Sequence, residues 1–73
     1  KDSKTKLQEW LQKKGQPLPY YRLIDTSGEA HSRTFTVECV LSSIDIDANA
    51  SASSVKKAEQ IVAEKLLIAI GEI

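Results

Sequence analysis

Four side chains near the N-terminus, Thr5, Gln8, Glu9 and Gln12, fall at i, i+3, i+4 and i+7, the spacing of one face of a helix. A helix face turned to solvent is usually filled with Lys and Glu, but this one is polar and almost uncharged. Hydroxyl and amide groups both donate and accept hydrogen bonds, so the stripe suits a ligand that presents donors and acceptors together. A second candidate is Lys56-Lys57, just behind Ser54. If serine opens a helix there, the lysines occupy its first turn, where cations oppose the helix dipole unless something anionic is present. Free backbone N–H groups at such a terminus favour an anion, and lysine serves phosphate as a flexible point charge without bidentate geometry. The third candidate is His31, the only histidine, which follows Gly28-Glu29-Ala30; taken alone, a single histidine is more often structural.

Catalysis would have to use His31 with Glu29 or Asp25, or a metal held by Asp45 and Asp47. The two aspartates read as the wet face of a short strand, where such carboxylates are more often solubilising. Cys39 is the only cysteine, so no internal disulfide can form, and with one histidine the usual zinc spacings are absent. No catalytic residue, no metal ligand and no cofactor are therefore expected in this chain. A lone cysteine fits a reducing compartment. No apolar stretch approaches the roughly 18 to 20 residues that span a bilayer, and Lys1-Asp2-Ser3-Lys4 is not a signal sequence. A soluble, cytoplasmic chain with no membrane partner is expected.

The elements that must position these side chains fit one domain, residues 1–73, with a single modest core. The chain is 41% hydrophobic and 27% charged, as ordinary packed domains are. Its net charge is zero, but unevenly laid out. Six basic residues up to Arg22 face only Asp2 and Glu9, whereas from Leu23 to Val55 Arg33 alone opposes Asp25, Glu29, Glu38, Asp45 and Asp47. From Lys56 onward three lysines balance three glutamates. Such polarity lets one face attract phosphate while another repels it.

A first helix is expected from about Lys4 to Lys14, capped by Asp2 or Ser3 and stopped by Gly15 with Pro17 and Pro19 beyond. Leu7, Trp10 and Leu11 form its apolar stripe. Tyr20 to Thr26 reads as a strand, Ser27-Gly28-Glu29-Ala30 as a turn, and His31 to Leu41 as a half-buried strand with Phe35, Val37, Cys39 and Leu41 on one face. After a turn at Ser42-Ser43, Ile44-Asp45-Ile46-Asp47 alternates as a short strand. Ala48 to Ser53 reads as a low-complexity loop into a last helix capped by Ser53 or Ser54. Ala58, Ile61, Val62, Leu66 and Ala69 line its buried side, with Ile70 close by. The fold class is α+β: α-β-β-β-α, a three-stranded antiparallel sheet with both helices packed on one face.

That order carries a set of local signatures: Lys4-Thr5-Lys6-Leu7-Gln8-Glu9, Pro19-Tyr20-Tyr21, Gly28-Glu29-Ala30-His31, Phe35-Thr36-Val37 and Ser54-Val55-Lys56-Lys57-Ala58-Glu59. Together they resemble the double-stranded RNA-binding domain, and most closely the one at the C-terminus of bacterial ribonuclease III. The resemblance spans essentially the whole chain.

What it implies is three RNA-contact regions. A wide, shallow minor groove displays 2′-hydroxyls in A-form RNA, and Thr5, Gln8, Glu9 and Gln12 are the helix face that would meet it. Gly28 to His31 would reach a neighbouring minor groove. Ser54, Lys56 and Lys57 would clamp phosphates across the major groove between them. The family usually has glycine where this chain has Ala50 and Ala52, and a basic residue at Val55. The resemblance also implies a parent protein, a homodimer that cleaves double-stranded RNA with magnesium held in a separate N-terminal domain. On that view this chain is a monomeric fragment without the nuclease. The rival reading is a protein-interaction module of the same fold with weakened RNA contacts.

Overall fold

The computed structural model describes residues 2–73. Helix α1 spans Ser3–Lys13, strand β1 Tyr20–Glu29, strand β2 Ser32–Leu41, strand β3 Ile46–Ala52 and helix α2 Val55–Ala69, with a single 3-10 turn at Ser42–Ile44. The strands form an antiparallel sheet in the order β1-β2-β3. The expected α-β-β-β-α architecture is therefore present. Helix α1 ends as its sequence demands: Gly15 takes a left-handed φ of 68°, which lets the Gln16 N–H reach back to the Leu11 carbonyl at 2.8 Å.

The core lies between the sheet and the helices. Leu7 and Leu11 enter from α1, Val37, Cys39 and Leu41 from β2, Ala50 from β3, and Ala58, Val62, Ala63, Leu66 and Leu67 from α2. No β1 residue is fully buried. That strand is held through its ladder to β2, which runs from Tyr20 opposite Val40 to Glu29 opposite Ser32, with an irregularity between Leu23 and Asp25. The far half of the β1–β2 hairpin thus projects as an exposed arm, consistent with a long axis of 41 Å against 23 and 16 Å.

Three expectations are corrected. Ala48 to Ser53 is not a loop: β3 runs through Ala52, pairing Ala48 with Cys39, Ala50 with Val37 and Ala52 with Phe35. Its inward residues are Ile46, Ala48, Ala50 and Ala52, the three alanines small enough for α2 to lie close on the sheet, while Asp47, Asn49 and Ser51 are exposed. Conversely, Ile44 and Asp45 belong to the turn before β3, and Asp45 adopts a left-handed φ of 55°. On α2, Ile61 and Ala69 are exposed and Ala63 and Leu67 are buried in their place. The helix is apolar on most sides, and contact with the sheet, not periodicity, selects its buried face.

Candidate nucleic-acid interface

Leu7 and Leu11 pin α1 to the core, and this turns Thr5, Gln8, Glu9 and Gln12 to solvent, all four exposed as the spacing requires. Gln8, Glu9 and Gln12 make no side-chain hydrogen bond to the described residues, so their donors and acceptors are available. Thr5 differs: its hydroxyl donates to Asp2 Oδ2 at 2.6 Å. This bond and one from the Gln60 amide hold the Asp2 carboxyl below the usual carboxylate range.

The first turn of α1 is tied to α2. Asp2 occupies the cap position without capping a backbone N–H through its side chain. Instead Gln60 Oε1 accepts from Ser3 N at 2.9 Å and Lys4 N at 3.3 Å, satisfying orphan donors of the helix start. Lys4 Nζ adds an ion pair with Glu59 at 2.7 Å and lies 4.8 Å from the Tyr21 ring centroid. Burial pushes the Tyr21 phenol up strongly.

The second region sits at the tip of the hairpin arm. β1 extends through Glu29, so Gly28 lies in the strand and the turn is Ala30–His31, not Ser27 to Ala30 as the sequence suggested. His31 stands at the apex, exposed, and is not the first residue of a strand. Gly28 holds φ at 95°, and a Cβ there would come within 2.6 Å of the Ser32 carbonyl oxygen. Only glycine allows this tight return of the chain.

The third region is the start of α2. Ser54, extended at φ −149°, caps it: its Oγ accepts from Lys57 N at 3.1 Å, which leaves the hydroxyl proton free to donate outward. Lys56 and Lys57 are exposed, and neither forms an ion pair among the described residues. Val55 is half-buried and packs against the core. Lys56 precedes Glu59 and Gln60 by three and four residues, so the lysine and the ties to α1 share one side of α2.

An open cavity of about 690 Å³ runs from the second region toward the end of β3, lined by His31, Arg33, Thr34 and Phe35 from the arm and by Ser51 and Ser53 just before α2. Arg33 was not among the expected contacts. Strand alternation could have found it, because Arg33 shares the face of Phe35, Val37 and Cys39 and lies just past the end of β3. Among the described residues no three His, Cys, Asp or Glu side chains gather. Asp45 and Asp47, expected on one strand face, are separated by the left-handed turn at Asp45.

A helix, a three-stranded meander and a second helix, bearing these three regions, define a class of small α+β nucleic-acid-binding domain. The double-stranded RNA binding motif matches residues 3–70, and the chain belongs to that family. It is 54% identical over 67 residues to "Ribonuclease 3" of Pasteurella multocida, covering 92% of this chain and 30% of that protein. It is 51% identical over 70 residues to "Ribonuclease 3" of Haemophilus influenzae, covering 92% and 31%. The chain thus spans just under a third of these relatives. A solved structure of Arabidopsis HYL1, described for its implications for miRNA processing, superposes with a TM-score of 0.79 at 30% identity, covering 93% of this chain and 94% of that one. Among the described residues no helix is long and apolar enough to cross a membrane.

Proposed function

We propose that this domain grips double-stranded RNA as the substrate-binding module of a ribonuclease III-like endoribonuclease acting on structured RNA, such as precursors of rRNA and mRNA. The observation that carries the reading is the state of Lys56 and Lys57: exposed, without ion-pair partners among the described residues and set at a capped helix start, they cost stability unless an anion is bound. Ser54 and Arg33 add donors toward the same phosphates. Thr5, Gln8, Glu9 and Gln12 enter one minor groove, and Gly28 and His31 bring the arm to the next. Domains of this family span about 16 base pairs and read shape more than sequence.

Magnesium and hydrolysis belong to a separate domain of a homodimeric, cytoplasmic parent, and this chain acts as a monomer that positions the substrate. Titration of the chain with duplex RNA and with duplex DNA of equal length tests the proposal. The expected result is clear preference for RNA, little sequence dependence, and no cleavage with or without magnesium. Equal affinity for DNA would defeat the minor-groove assignment, and no binding to either duplex would favour a protein-interaction module.

A further inference from the structure

We propose that Gln60 and Asp2 act as positioning residues for Thr5, turning its hydroxyl so that Thr5 accepts a hydrogen bond from an RNA 2′-hydroxyl and cannot donate one. This rests on the preceding reading of α1 as a minor-groove helix and specifies the chemistry of that contact.

A hydroxyl carries one proton and two lone pairs. In most protein hydroxyls the proton's direction is open, as between Thr36 and Ser51, which are 2.7 Å apart and either of which can donate. At Thr5 it is fixed. The partner is a carboxylate, which has no proton to give, so the 2.6 Å contact to Asp2 Oδ2 uses the Thr5 proton. An aspartate carboxyl is ionised through the neutral range, and the hydrogen bonds from Thr5 and Gln60 lower its pKa further. Toward solvent, Thr5 Oγ1 has only lone pairs left.

The carboxylate is itself held in place. Its other oxygen, Oδ1, accepts from Gln60 Nε2, while Gln60 Oε1 accepts from the backbone of Ser3 and Lys4. One amide therefore satisfies the start of α1 and orients the group that orients Thr5. Gln60 lies on α2, one turn beyond Lys56 and Lys57, so the clamp also keeps the minor-groove helix in register with the phosphate-binding helix start. A ribose 2′-hydroxyl can donate to Thr5, whereas deoxyribose offers nothing at that position.

The test is a set of binding measurements on the whole chain with Thr5→Val, Thr5→Ser, Asp2→Ala, Gln60→Ala and the Thr5→Val double variants of the last two. Melting curves identify the folded variants, and if Gln60→Ala does not fold, the Asp2→Ala cycle decides alone. Thr5→Val should bind duplex RNA about fivefold more weakly, the loss of one ordinary hydrogen bond, and Thr5→Ser should restore it. That penalty should vanish on a duplex whose riboses carry 2′-fluoro, which has no proton to donate. Asp2→Ala also removes a negative charge near phosphate, so its effect is read as the difference between backgrounds. It and Gln60→Ala should each weaken binding about two- to fivefold more with Thr5 present than in the Thr5→Val background. Equal effects in both backgrounds, or a Thr5→Val penalty that persists on the 2′-fluoro duplex, would overturn the clamp while leaving RNA binding intact. Failure of the unmodified chain to bind duplex RNA would instead overturn the reading it rests on.

Discussion

Replacing Lys56 and Lys57 with alanine should move affinity and stability in opposite directions. Both side chains are exposed and have no ion-pair partner among the described residues, so nothing within the fold is lost with them. Each lysine that neutralises one phosphate contributes about 0.9 to the slope of log affinity against log salt, taking duplex DNA as the guide. At about 0.1 M salt one lost contact therefore weakens binding about eightfold relative to the limit near 1 M, and both together about sixtyfold. The double variant's log–log slope should be shallower by about 1.8, equally for duplexes of different sequence. Meanwhile the first turn of α2 loses two cations that oppose its dipole, which should stabilise the free domain by about 0.3–1 kcal/mol per charge at low ionic strength. The assay is a salt-titrated binding series, with a melting curve for each variant. An unchanged slope would show that these lysines are merely solvated. A lower melting temperature would show an undetected structural role and refute the reasoning from the helix dipole.

Gly28→Ala should destabilise the fold by about 1–3 kcal/mol, because φ is 95° and the new Cβ would meet the Ser32 carbonyl at 2.6 Å; an unchanged melting temperature contradicts this. Val55→Lys should lower the melting temperature, because Val55 packs on the core. If its ammonium reaches solvent along the stem the salt slope also steepens by about one unit; an unaltered melting temperature would show that the packing is worth nothing. Cys39, fully buried in the core, should resist thiol reagents in the folded chain. Burial raises its pKa to about 11, so the fold favours the neutral thiol, and that stabilisation, complete below the unfolded value, is lost as the pH rises from about 9 toward 11. Rapid labelling near pH 8, without unfolding, would refute it.

The parts of this structure that are regular in sequence were the parts legible there. Thr5, Gln8, Glu9 and Gln12 repeat with the helical period, Phe35 to Leu41 with the strand period, and Ser54 followed by a helical run marks a cap; each is a local signal. The larger part of β3, Ala48 to Ala52, was read as loop although its inward residues also alternate, because Ala48, Ala50 and Ala52 are too small to register as a hydrophobic face and alanine, asparagine and serine carry little strand preference. What makes it a strand is its ladder with β2, a tertiary fact. The buried face of α2 was misread for the opposite reason: Ile61, Val62, Ala63, Leu66, Leu67, Ile68 and Ala69 surround the helix, and no single stripe stands out. Gln60 had no local signal at all, since the backbone it caps lies 57 residues upstream.

A chain with zero net charge can still bind a polyanion because its charges are sorted by face. Strand register puts Glu38 opposite Asn49 and Asp47 opposite Val40, all on the side of the sheet away from the helices, and Arg22 is spent there on Glu38 at 2.8 Å. An exposed pair of that kind adds little stability, but it removes a cation from the far face. Lys56, Lys57 and Arg33 lie on the helix side or at its edge, where phosphates would pass. Salt screens exposed charges on opposite faces from one another, so the acids of the sheet weaken attraction at the lysines less than acids beside them would, and they disfavour docking the wrong way round. Acids also lie on the helix side, where Glu59 is paired with Lys4 and Asp2 is tied to Thr5 and Gln60, while Glu9 and Glu29 lie in the regions assigned to minor grooves. There the ligand offers 2′-hydroxyl donors as well as phosphate, and a carboxylate can accept from them.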